Sequence, residues 1–168
     1  LAASEYARLG WDKKKSDTYF DQIERPIILG LLAGADEPDV VAHCLELFTH
    51  ATNVDDVSPE LRDSVTTVEM RLSLDIDPDT RSIVFSTAAR LGDEATFDKL
   101  LKLHNETHLS EEKLTFAAAL TDFKQPELIA RALDTIRTDV VRLQDVSYWI
   151  AYSFMNHNAR TATWQRLQ

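Results

Sequence analysis

Residues 76–146 read IDPDTRSIVFSTAARLGDEATFDKLLKLHNETHLSEEKLTFAAALTDFKQPELIARALDTIRTDVVRLQDV, and residues 156–164 continue as NHNARTATW. The punctuation of this stretch is helical throughout. Asp77-Pro78 and Gln125-Pro126 each open a segment with proline in a first turn, where its missing N–H would have no partner anyway. Asp36-Glu37-Pro38 and Ser58-Pro59 repeat that signal upstream, so four of the five prolines mark starts. Asp36, Ser58 and Asp77 are the expected caps, and Ser110 followed by Glu111 and Glu112 is a further opening. Gly10, Gly34 and Gly92 follow apolar stretches, where a left-handed closing residue is expected.

Starts fall near Ser16, Asp36, Ser58, Asp77, Asp93, Ser110, Gln125, Thr138 and His157. Steps of roughly 13–22 residues leave room for about 10–16 helical residues and a short connection, as between antiparallel neighbours. Apolar stripes at helical spacing run through Val84, Ala88 and Leu91, through Leu128/Ile129, Ala132/Leu133 and Ile136, and through Val146, Trp149/Ile150 and Ser153. Strand signals are missing: there is no sustained alternation and no Asn-Gly or Asp-Gly turn. The expected fold is all-α, a HEAT- or armadillo-like stack of antiparallel helical hairpins (an α-α superhelix) in one domain over residues 1–168. SPELRDSV (Ser58–Val65) and DPDTRSIV (Asp77–Val84) echo one another, which two similar helix starts explain, with Arg62 and Arg81 pairing with nearby acids.

Composition narrows the function classes. Apolar residues at 44% and charged residues at 27% are normal for a globular chain. A net charge of −10 argues against nucleic acid, whose phosphates require clustered Lys and Arg. Lys13, Lys14 and Lys15 form the only basic run and read as a solvated connector. The longest apolar run, Ile27 to Ala33, falls far short of the roughly 20 residues needed to cross a bilayer, so no membrane partner is expected. One cysteine excludes an intrachain disulfide and fits a reducing, cytoplasmic setting. Cys44 lies on the stripe Val41, Cys44, Leu45, Phe48 and reads as a core thiol. The chain has no initiator Met and stops four residues past Trp164, so both ends are expected to be cut from a longer protein.

No cluster in the sequence is arranged for catalysis. His104-Asn-Glu106-Thr-His108 differs from a zinc helix, because H-E-x-x-H needs Glu directly after the first His so that it can act as base beside the metal. Here the histidines read as loop residues between a helix ending near Leu103 and the cap at Ser110. A nucleophile elbow is absent, and four glycines build no phosphate cradle. Asp55/Asp56 and Glu111/Glu112 stand where loops and helix N-termini normally carry acid. Trp11, Trp149 and Trp164 read as packing anchors, and Trp164→Ala is expected to remove ~3 kcal/mol or more. Catalytic and metal residues are therefore expected to be none.

The order of several elements resembles the C-terminal helical domain of M1-family zinc aminopeptidases, the family that includes the ERAP and aminopeptidase N enzymes. The features begin with Pro78, Asp79, Arg81 and Val84, followed by Phe97-Asp98, Leu100-Leu101 and Glu112-Lys113. Pro126-Glu127-Leu128, Gln144-Asp145-Val146, Asn156, Arg160 and Trp164 complete the series, and Leu9-Gly10-Trp11 resembles a loop upstream. Residues 53–74 depart from the family by being longer. The resemblance implies a non-catalytic domain that caps a catalytic domain and shapes peptide access. It also implies that the parent holds zinc elsewhere and releases N-terminal amino acids, so H-E-x-x-H is expected upstream of Leu1. The implied partners are the parent's own catalytic domain and a peptide, with Arg160, Gln144 and Asp145 as candidate peptide contacts or as ties between adjacent helices. Arg160 is the better contact, since a guanidinium can hold a carboxylate with two bonds. A stand-alone helical-repeat adaptor is the alternative, and a small metal enzyme using His104 and His108 ranks third.

Overall fold

In a computed structural model the chain is described over residues 2–53 and 76–168. The described residues form nine α-helices: α1 (Ala2–Leu9), α2 (Tyr19–Gly34), α3 (Pro38–Thr52), α4 (Arg81–Leu91), α5 (Glu94–Glu106), α6 (Ser110–Leu120), α7 (Pro126–Thr135), α8 (Val146–Met155) and α9 (Arg160–Leu167). Short 3-10 turns, Pro78–Thr80 and Leu143–Asp145, lead into α4 and α8. No strand occurs among the described residues, and the fold is all-α. The expected start at Ser58-Pro59, Arg62 and its echo, Asp55/Asp56, and the departing stretch beyond Asn53 lie outside the described residues.

Among the described helices, every second one stacks on the one before. α2 lies against α4, α4 against α6, and α6 against α8, so these four form a row. α3 packs beside α4 and α5 beside α6, while α7 pairs with α9 at the far end. An aromatic series runs along the row. Phe48 of α3 meets Phe85 of α4 edge-on at 6.3 Å, and Phe85 meets Phe116 of α6 at 5.0 Å. Phe97 of α5 lies 5.3 Å from Phe123, and Trp149 of α8 meets His104 at 5.5 Å. These rings are buried, and each contributes about 1.5–3 kcal/mol relative to exposure. Ala117 and Ala119, both fully buried on α6, keep the spacing to its neighbours small.

Proline and capping residues act largely as their chemistry dictates. Pro38 and Pro126 occupy first turns, and Asp93 accepts from the Thr96 N–H at 3.0 Å. α2 begins three residues after Ser16, where Thr18 and Asp21 exchange backbone and side-chain bonds in a capping box. Gly10 closes α1 at φ +68°, in the left-handed region. Gly92 corrects the expectation made for it. Its backbone is extended, and it must be glycine because a Cβ would stand 2.5 Å from the Ala88 carbonyl oxygen. Gly34 is the last residue of α2, and Asp36 takes the left-handed conformation instead of capping α3 (φ 58°). The Asp36 carboxylate is held by Arg90, whose other nitrogen donates to the Ala33 carbonyl at 2.6 Å.

Other expectations are corrected as well. Thr138 starts no helix: its hydroxyl donates to the Thr135 carbonyl at 2.7 Å and closes a turn. α9 starts at Arg160, three residues past His157, after a turn in which Asn156 accepts from the Asn158 N–H. The buried face of α3 is Val40, Cys44, Phe48 and Ala51, so Leu45 turns outward while Cys44 stays in the core. Leu91 is exposed at the end of its stripe. α5 runs past Leu103 to Glu106, so His104 is a core residue of a helix and not a loop histidine. Trp164 is 59% exposed, which removes the basis for a large loss on truncation. Lys13 is no mere solvated connector, since its Nζ sits 2.8 Å from both Asp77 and Asp79.

Candidate functional site

The polar residues that recur between helix ends form the joints of the stack. Arg81, one turn into the segment opened by Asp77-Pro78, places NH1 2.7 Å from Glu112 Oε1 of α6 and donates Nε–H to the Ile76 carbonyl at 3.2 Å. The other Glu112 oxygen accepts from the Thr107 hydroxyl at 3.0 Å. Both charged side chains are largely buried, at 13% and 7% exposure, so the pair acts in a dry setting. Next to it, Lys113 Nζ donates to the His104 carbonyl at 2.7 Å. Gln125 reaches back from the start of α7 to the Gly92 carbonyl at 2.7 Å. Asn156, at the end of α8, donates to the Thr121 and Phe123 carbonyls at 2.9 and 2.7 Å.

The three candidate peptide contacts are split by α8. Gln144 and Asp145 sit in the 3-10 turn before it, and Arg160 follows its far end, so the ten-residue helix of about 15 Å separates them. Asp145 is buried and accepts from Arg142 Nε–H at 2.6 Å, while Arg142 NH1 donates to Ser110 Oγ at 3.0 Å. That chain ties the entrance of α8 to the start of α6. Gln144 and Arg160 are exposed, and Arg160 donates Nε–H to the Phe154 carbonyl at 2.9 Å.

The described donors do not fit a zinc ion. His104 is buried with its ring edge-on to Trp149, and burial lowers its pKa, so the imidazole is neutral. His108 is exposed. Among the described residues no three His, Cys, Asp or Glu side chains converge as ligands. Burial pushes the Cys44 thiol up to about 11, which leaves it protonated and unreactive at neutral pH.

Asp122, in the joint between α6 and α7, has its carboxyl raised to about 6, chiefly by burial. A raised carboxyl binds its proton more tightly in the fold than in the unfolded chain, so stability falls as pH rises from about 4 through 6. Asp122→Asn is therefore expected to stabilise the chain by about 1–2 kcal/mol at pH 8 and by little at pH 4. Urea melts at the two pH values measure the difference.

A helical stack with buried polar joints defines a class of scaffold; comparison with known proteins narrows it. The ERAP1-like C-terminal domain family matches residues 1–168, and the chain belongs to that family. It is 26% identical over 147 residues to aminopeptidase 2 of Candida albicans, covering 87% of this chain and 14% of that protein. Aminopeptidase N of Lactococcus lactis subsp. lactis is 27% identical over 170 residues, covering 98% of this chain and 18% of that protein. Aminopeptidase M1 of Arabidopsis thaliana is 26% identical over 164 residues, covering 96% and 17%. The chain thus spans less than a fifth of the length of these M1-family aminopeptidases.

The cavity beside Arg25 was missed in the sequence. It occupies about 240 Å³ between the loop after α1, α2, α3 and the turn before α4. A signal was present: Arg25 precedes Pro26 in the middle of the apolar α2, a costly place for a charge without a partner.

Proposed function

We propose that this chain is the non-catalytic C-terminal portion of a zinc aminopeptidase, capping the catalytic domain and shaping the passage of peptides to it. The observation that carries the reading is the use of buried and half-buried polar side chains as joints: Arg81, Glu112, Lys113, Gln125 and Asn156 all tie one helix or helix end to another. A scaffold so fastened offers a long, fixed wall without reactive geometry. Zinc and the bond-breaking groups belong, in this reading, to the part of the parent outside these residues. α2 is the docking face toward that part. Phe20, Ile23, Ile27 and Leu31 leave an apolar stripe along its length, with exposures of 77%, 47%, 58% and 59%. Gln144 and Arg160, exposed at the two ends of α8, are the proposed peptide contacts, and Asp145 holds Arg142 behind them. The single buried cysteine supports a reducing, cytoplasmic location. No helix among the described residues is long and apolar enough to cross a membrane.

Association in trans tests the reading. The parent's catalytic domain, produced separately, is expected to bind this chain, and Ile27→Glu is expected to weaken that binding at least tenfold without lowering the melting temperature. No association of the two wild-type pieces would reject the reading.

A further inference from the structure

We propose that the cavity beside Arg25 binds a free α-amino acid, with the carboxylate on Arg25 and the ammonium on the carboxylates that line the cavity. Arg25 is 2% exposed, and only one of its terminal nitrogens is engaged, donating to Asp17 Oδ2 at 2.6 Å and to the Leu9 carbonyl at 3.4 Å. Its Nε and NH1 are buried without a hydrogen-bond partner. A dehydrated guanidinium with two unmatched nitrogens gains most from an acceptor brought in by a ligand.

The rest of the wall decides which acceptor. Asp12, Asp77 and Asp79 line the cavity, and Lys13 bridges the latter two. Arg25 is already matched by Asp17, so the surroundings keep a net negative charge. A simple anion such as phosphate would be repelled; a molecule carrying both charges would not. Gln22 and Pro26, the latter without an N–H to donate, also line the cavity. Trp11 and Leu47 supply apolar surface for a side chain, with Trp11 fixed against the His43 ring at 4.4 Å. The volume, about 240 Å³, lies below the roughly 300–1,000 Å³ of drug-sized sites and suits a single small metabolite. The proposal stands on this cavity and does not rest on the proposed role in an aminopeptidase.

NMR titration of the chain, following the Trp11 indole resonance, tests it with three probes of one skeleton. These are L-leucine, 4-methylpentanoate, which lacks the ammonium, and 3-methylbutylamine, which lacks the carboxylate. Leucine is expected to give a saturable shift and to bind at least about tenfold more tightly than either analogue, since each loses a charge-assisted contact. Arg25→Lys is expected to abolish the preference for leucine over the amine. Because that buried substitution can unfold the chain, Asp12→Asn serves as the second variant. It should weaken leucine several-fold, leave 4-methylpentanoate unchanged or tighter, and leave the melting temperature unaltered. No saturable shift with leucine, equal affinity for all three probes, tighter binding of inorganic phosphate, or indifference of leucine to Asp12→Asn would each overturn the assignment.

Discussion

Trp149→Ala is expected to lower the stability of the chain by about 4 kcal/mol, and the melting temperature by roughly 10 °C. The indole is fully buried on α8, the last helix of the row, against the His104 ring, so its truncation removes a large apolar volume from the core. Trp164→Ala serves as the internal control. Its ring is mostly exposed on α9, so the same chemical change should cost no more than about 0.5 kcal/mol. Thermal melts of the two variants side by side give the contrast directly. Equal losses would mean that the burial of Trp149 does not govern the stability of the α8 end.

Glu112→Ala comes next, with an expected loss of about 3–5 kcal/mol. The cause is the charge left behind more than the bond removed: Arg81 would remain largely buried, facing α6 without a carboxylate, and Thr107 would lose its acceptor. Glu112→Gln should lose less, because the amide oxygen can still accept from Arg81 while the amide NH2 donates to the Thr107 hydroxyl. The surface pair of Arg131 with Asp98 is 2.6 Å apart yet 38% and 58% exposed, so Asp98→Ala is limited to about 1 kcal/mol or less. Denaturant melts of the three variants rank these effects, and an order with Asp98→Ala largest would refute the account of the joints.

What could be read from the sequence was set by the range of the interaction involved. Helix openings at Pro38, Pro78 and Pro126 were legible because proline acts within its own turn, and the Asp93 cap because it binds only three residues on. The burial of Cys44, Val84 and Ala88 followed from apolar spacing along a single helix. Trp164 was misread because the spacing along α9 does not say which face meets a neighbour, and its ring is mostly exposed. Thr138 and Gly92 were misread although their causes are local, because a hydroxyl that closes a turn and an extended glycine look in sequence like a helix start and a left-handed cap. The joints were half legible. Arg81 was expected to find an acid, but its partner, Glu112, lies 31 residues away, and only the stacking of α4 on α6 brings the two together. The Arg25 cavity was out of reach because four separate segments build it.

The central claim is tested most directly by the hydrolysis of peptides of graded length by the parent's catalytic domain, with and without this chain added back. Adding the chain is expected to change the dependence of rate on peptide length while leaving hydrolysis of a single aminoacyl reporter within about twofold, as for a wall that governs access and not bond cleavage. Release of amino acid from the reporter by this chain alone, or an identical length profile in its presence and absence, would contradict the account.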